Sequence, residues 1–216
     1  MIRIVRNEPV RSAIIPLRLV FWGGLLCVLD INFSQTTNGR GFRFDILNDF
    51  IGMLLITTAV FRLATFDAGD RYRFSMTVVR TAAVLATFRA LQAHFIYEAG
   101  PVLSAVLTIV GFFNLVATVM FCRCMRWLAE TLGLTRSAAS WRVTTILFFW
   151  IYLVPIGLLH LTSLAARIGG SEFHFDSGPA GLLLLPVFFV PLVHLFLSTS
   201  RMKREAEGTA PAHGIP

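Results

Sequence analysis

Six stretches of about 20 mostly apolar residues, set apart by short Arg-bearing connections, fill nearly all of this 216-residue chain, and each is about as long as a helix that crosses a bilayer. The pattern predicts an all-α, polytopic membrane protein: a bundle of six transmembrane helices at about 13–30, 45–66, 76–97, 102–121, 143–166 and 181–198. Only 14% of the residues are charged and 56% are hydrophobic, whereas about a quarter of a soluble domain is charged. No connection exceeds about 20 residues, too few for a second globular unit. Residues 1–200 are therefore expected to form a single membrane domain. Residues 201–216, with their Ala, Gly and Pro, read as a disordered cytoplasmic tail.

The basic residues set an orientation. Twelve Lys and Arg fall in the N-terminal tail, the 67–75 loop, the 122–142 loop and the C-terminal tail; the other side carries Arg40, Arg43 and Arg167. Excess positive charge stays on the cytoplasmic side, so the expected topology is N-in/C-in. The net charge of +7 follows from these loops and suits anionic lipid headgroups. The lipid bilayer is the expected partner, and nucleic acid is not. Arg3, Arg6 and Arg11 precede the first apolar run as in a secretory signal. That run is long, contains Arg18 and lacks a small-x-small exit, so it reads as a retained helix.

Cys27, Cys122 and Cys124 are too few for a disulfide framework. Cys122 and Cys124 are expected at the membrane interface. The segment that follows them places Cys124, Leu128 and Leu132 on one helical face and spaces Arg126 and Glu130 as an i,i+4 pair. It reads as a short amphipathic helix lying on the inner surface. Pro155, Pro186 and Pro191 sit inside apolar runs and predict kinks in the last two helices. Glu98-Ala99-Gly100-Pro101 reads as a tight turn joining helices three and four.

The segment from Phe44 to Ile56 contains Asp45-Ile46-Leu47-Asn48-Asp49-Phe50-Ile51-Gly52. It resembles the start of a helix, roughly Asp-x-Leu-Pro-Asp-Phe-Ile-Gly, in uncharacterised bacterial multi-pass inner-membrane proteins, with Asn48 where that pattern has Pro. The resemblance implies a bacterial cytoplasmic (inner) membrane setting and carries no activity. A basic complement that is Arg throughout, apart from Lys203, is expected of a GC-rich bacterial genome.

Ionisable groups inside a span are costly unless paired or hydrated, which makes each a candidate for function. On the third helix Ala82, Ala86, Ala90 and Ala93 form a small-residue face that includes Arg89, suited to close contact with neighbouring helices. Val84, Phe88, Leu91 and Phe95 lie opposite and suit lipid. Asp45, Asn48, Asp49 and Gly52 form a polar stripe on the second helix, and Tyr152, His160, Ser163 and Arg167 another on the fifth. Counted along the helices, Asp49, Arg89 and His160 come to similar depths. The expected intramembrane cluster is Asn48, Asp49, Arg89, Gln92 and His160. It has two readings: a structural ion pair that fixes helix packing, or a hydrated pocket reached from outside in which Arg89 holds an anion and His160 titrates. Asn114 reads as interhelical glue.

No nucleophile-base set, phosphate loop or zinc signature appears in the chain, so no catalytic residue, metal or cofactor is expected and the chain does not read as an enzyme. The favoured expectation is a non-enzymatic accessory or scaffold component acting through helix–helix contacts, as a homo-oligomer or with another membrane protein. The alternative is a small transporter or proton-coupled permease with an outward-facing polar pocket.

Overall fold

The computed structural model describes residues 7–28, 32–37, 40–45, 49–95, 101–170 and 180–208. Its helices are α1 (Asn7–Val28), α2 (Asp49–Leu63), α3 (Asp70–Phe95), α4 (Pro101–Thr131), α5 (Thr135–Phe148), α6 (Val154–Ile168) and α7 (Ala180–Gly208). A π-helical turn, Phe149–Leu153, joins α5 to α6 as one rod. Among the described residues, Asp70–Gln92, Val102–Thr131 and Thr135–Ile168 are helical stretches long and apolar enough to cross a membrane. This is a membrane protein. Helix is the form such stretches must take, because each backbone N–H and C=O is satisfied within the segment and none needs water.

Three features depart from the sequence expectation. Between α1 and α2 stands an antiparallel two-stranded hairpin, β1 (Asn32–Thr37) with β2 (Arg40–Asp45), in register from Asn32↔Asp45 to Thr37↔Arg40. The fold is all-helical apart from this one short hairpin, and Asp45 ends a strand where it was expected to open a helix. Phe42 and Phe44 alternate with Arg43 and Asp45 at the two-residue period of a strand. Asn38-Gly39, the sequence between the strands, is the dipeptide favoured at two-residue hairpin loops. What remains for α2 is 15 residues, a rise of about 22 Å.

The second departure is the 122–142 segment, which is not a surface helix. α4 runs straight on through Cys122 and Cys124 to Thr131, and Cys122, Cys124, Met125 and Ala129 are completely buried. The expected Arg126–Glu130 pair forms on its exposed side, at 2.7 Å. A sharp reversal ends the helix: Gly133 takes a positive φ of 68°, and the Leu134 N–H reaches back to the Ala129 carbonyl at 2.9 Å. Buried Leu134 completes this glycine-based cap. α5 therefore starts at Thr135, a full two turns before the expected 143. The third departure is at the C-terminus, where α7 continues past Ser198 to Gly208. The remainder of the expected tail, 209–216, lies outside the described residues, as does most of the expected 98–101 turn.

The prolines act locally. Pro155 lies in the first turn of α6 and has no N–H for the Ile151 carbonyl; the wide π turn just before it gives the ring room. On α7, Pro191 is followed toward the N-terminus by the Phe188 carbonyl, which accepts a 2.6 Å bond from the Tyr152 hydroxyl.

The helices pack as a closed ring in chain order, α1 on α2, α2 on α3, α3 on α4, α4 on α5 and α6, α5 on α7, and α7 back on α1. One of these contacts depends on a pair of glycines. A Cβ on Gly23 would lie 2.5 Å from the Gly52 carbonyl oxygen, and one on Gly52 would lie 2.8 Å from that of Gly23, so the α1 and α2 backbones cross in direct contact. The buried core draws on the end of the ring that holds the N-terminal half of α1 and the C-terminal half of α7. Leu17, Leu63, Tyr72, Met125, Trp141 and Met202 meet there.

Candidate functional site

Hydroxyls set the register of α2 against α3. The Thr57 and Thr87 hydroxyls lie 2.8 Å apart, and Thr57 also donates to the Ala83 carbonyl at 3.2 Å. Thr87 reaches the Met53 carbonyl at 3.5 Å. One helical turn beyond Met53 is Asp49, the first residue of α2, which comes level with the Arg89 region of α3. Its carboxylate acts on the Arg89 guanidinium electrostatically.

Ala82, Ala83 and Ala86 are buried, as expected of a small-residue contact face, and Phe88 is turned outward. Arg89 sits at the edge of that face and is exposed. Its guanidinium turns toward α4. A Cβ built on Gly111 would fall 2.5 Å from Arg89 Nη1, 3.0 Å from His160 Cε1 and 3.1 Å from His160 Nε2. Gly111 is thus a notch in α4 into which a guanidinium from α3 and an imidazole from α6 both project. Arg89 also acts on His160 electrostatically. Among the described residues, neither side chain makes a hydrogen bond or an ion pair within 4 Å.

Of the five residues expected to cluster, Arg89 and His160 meet at Gly111, and Asp49 acts on Arg89 electrostatically. Gln92 is half-buried one turn past Arg89, with no hydrogen bond to the other three among the described residues. Asn48 lies outside the described residues. Tyr152, expected on the His160 stripe, instead turns to α7, where it packs edge-on against Phe188.

One turn below Gly111, toward the core end, Asn114 begins the wall of a half-open cavity of about 310 Å³. Every rod contributes to its wall, which is largely apolar; Cys27, Asn114, Thr118 and Tyr152 are its polar members. Gly111, Asn114, Leu115 and Thr118 recur at i, i+3, i+4 and i+7, so one stripe of α4 runs from the Arg89–His160 notch down the cavity wall. The Thr118 hydroxyl bonds back to the Asn114 carbonyl at 2.9 Å. The Asn114 amide itself has no hydrogen-bond partner among the described residues.

A second polar group lies between α5 and α7 and has the opposite character. Ser140, Thr144 and Ser198 are buried. Ser198 Oγ lies 2.8 Å from Ser140 Oγ and 2.9 Å from Thr144 Oγ1, and Thr144 Oγ1 lies 2.9 Å from His194 Nδ1. Two turns further along α7, the Glu205 carboxylate accepts the Arg136 and Ser137 backbone N–H groups at 3.1 and 2.7 Å and the Ser137 hydroxyl at 2.5 Å. It caps the N-terminus of a neighbouring helix, a role normally taken by a residue of the helix itself. This seam was missed in the sequence although its spacing was visible: Ser137, Ser140 and Thr144 share one helical face, as do His194, Ser198 and Glu205. Reading 122–142 as a surface segment had removed half of it.

Among the described residues no three His, Cys, Asp or Glu side chains converge on one point. The site therefore offers a cation, an imidazole, a carboxylate and an amide over an apolar hollow. Comparison of the chain with family models, with curated proteins and with solved structures finds no match.

Proposed function

We propose that this chain is a six-span protein of a bacterial cytoplasmic membrane, with both termini cytoplasmic, that takes a small ligand into the centre of its helix ring as a permease or binding protein and catalyses no reaction. The observation that carries the reading is the 310 Å³ cavity topped by Arg89 and His160 at the Gly111 notch. A hollow of this size, apolar with a few convergent polar groups, has the character of a ligand pocket. A charge beside it in a membrane is tolerated where it meets water or a counter-ion. The twelve-to-three division of basic residues supports the orientation, in which the Arg89 end of the cavity faces outward.

The other reading, an accessory component working through helix–helix contacts alone or as a homo-oligomer, rests on small-residue faces. The buried ones, Gly23, Gly52, Ala82 and Ala86, are already occupied within the chain, which weakens it. Cys27 separates the two, because it borders the cavity, its thiol lying 3.8 Å from the Asp49 carbonyl on the facing helix, while Cys122 and Cys124 are buried elsewhere. A small water-soluble maleimide, applied to protein in nanodiscs and followed by peptide mapping, should modify Cys27 and spare the other two. If Cys27 reacts only after unfolding, the cavity is closed to water and the accessory reading takes over.

A further inference from the structure

We infer that the ligand is a single-chain anionic amphiphile, a medium-chain carboxylate, whose head lies at Arg89, His160 and Asn114 and whose tail fills the cavity. This rests on the ligand-binding reading above and names the chemistry that the site selects.

Three features lead to it. First, charge: the notch holds an arginine with no ion pair within salt-bridge distance among the described residues, and a planar guanidinium matches a carboxylate in geometry as well as sign. Asp49 acts on the same guanidinium, which disfavours a multiply charged head. Second, shape: on α1 the wall runs from Val20 to Cys27 and on α4 from Asn114 to Phe121. Seven residues of helix correspond to about 10 Å. A volume of about 310 Å³ spread over about 10 Å of helix leaves a narrow hollow, suited to an extended chain more than to a ring system. Third, gradient: Asn114 sits at the head end of α4's stripe, one turn below Gly111. The far end is closed by Val60, Val79, Phe121, Phe148 and Leu195, which offer no hydrogen bond. A ligand polar throughout would lose hydration there without compensation, and one apolar throughout would leave Arg89 and Asn114 unanswered.

The test uses the full-length protein in phosphatidylcholine nanodiscs, with the rate of maleimide modification of Cys27 as readout. Decanoate should slow that modification at least tenfold at saturation, while acetate and decanol, each lacking one half of the amphiphile, leave it nearly unchanged. Arg89→Ala should abolish the protection by decanoate with Cys27 still reactive. Gly111→Ala, whose Cβ would displace the guanidinium, should weaken it about tenfold, or about 1.4 kcal/mol. Thermal unfolding of each variant confirms that it is folded, and Gly111→Ala decides the matter if Arg89→Ala is not. Equal protection by decanol, or undiminished protection in folded Arg89→Ala, overturns the carboxylate assignment and leaves the ligand-binding reading standing. Protection by phosphatidylglycerol nanodiscs without decanoate makes the occupant a bilayer lipid and also overturns it. A Cys27 that never reacts in the folded protein refutes the ligand-binding reading itself.

Discussion

The two ends of the helix ring solve the same problem, polar groups among apolar helices, in different ways. At the end that holds both chain termini, Ser137, Ser140, Thr144 and Ser198 are buried and exchange hydrogen bonds with one another, with His194 and with Glu205. Around them the core is filled to completion by Tyr72, Met125, Trp141 and Met202. At the other end Arg89 is exposed and His160 half-buried, both crowd a glycine, and the space beneath them is hollow. A saturated polar seam holds helices in place and has no capacity left for a ligand. Polar groups whose capacity is unused beside a cavity are the ones available for binding. The difference teaches that the number of polar residues in a membrane helix says little until their partners are known.

Substitutions at the two ends should separate these roles. The largest loss of stability is expected for Glu205→Ala, which removes the acceptor of two backbone N–H groups and a buried hydroxyl. A charged acceptor of this kind contributes about 2 kcal/mol, readable as a lower unfolding temperature. A neutral result would mean that α5 is capped by water and that the seam is weaker than its geometry suggests. Thr144→Val should come next, at about 1–2 kcal/mol, because Ser198 and His194 both lose a partner inside a packed interface; Cys27 reactivity should not change.

At the hollow end the balance reverses. Arg89→Ala should leave unfolding within about 1 kcal/mol of the parent, as expected for an exposed charge outside any close ion pair among the described residues, while altering what protects Cys27. The smallest effect is the coupling between Arg89→Ala and Asp49→Asn in a double-mutant cycle of stability, expected below about 0.5 kcal/mol. Comparable losses in both single variants that are rescued in the double would make the pair structural and erase the contrast between the ends.

The outward character of Phe88, the contact face at Ala82 and Ala86 and the common depth of Arg89 and His160 were legible from helical periodicity. All three follow from rise and angle per residue, which hold for any straight helix. The β-hairpin is written in the sequence too, in the alternation of Phe42 and Phe44 with Arg43 and Asp45. The extension of α4 through Cys122–Thr131 was not legible. Arg123, Arg126 and Glu130 give that stretch the polarity of a surface helix, and only its neighbours, Met202 and Trp141 in the shared core, explain why the opposite face is buried.

The sequence by itself determined that this chain enters a membrane, roughly where its helices run, and which ionisable residues lie inside them, because hydropathy and helical period are local properties. Only the tertiary structure decided that the helices close into a ring in chain order, that Gly111 opens a notch between Arg89 and His160, that a cavity lies below it, and that Ser140, Thr144, His194, Ser198 and Glu205 form one seam. Each of these depends on distances between residues far apart in the chain, which are set by how side-chain volumes and backbone approaches match across helix pairs.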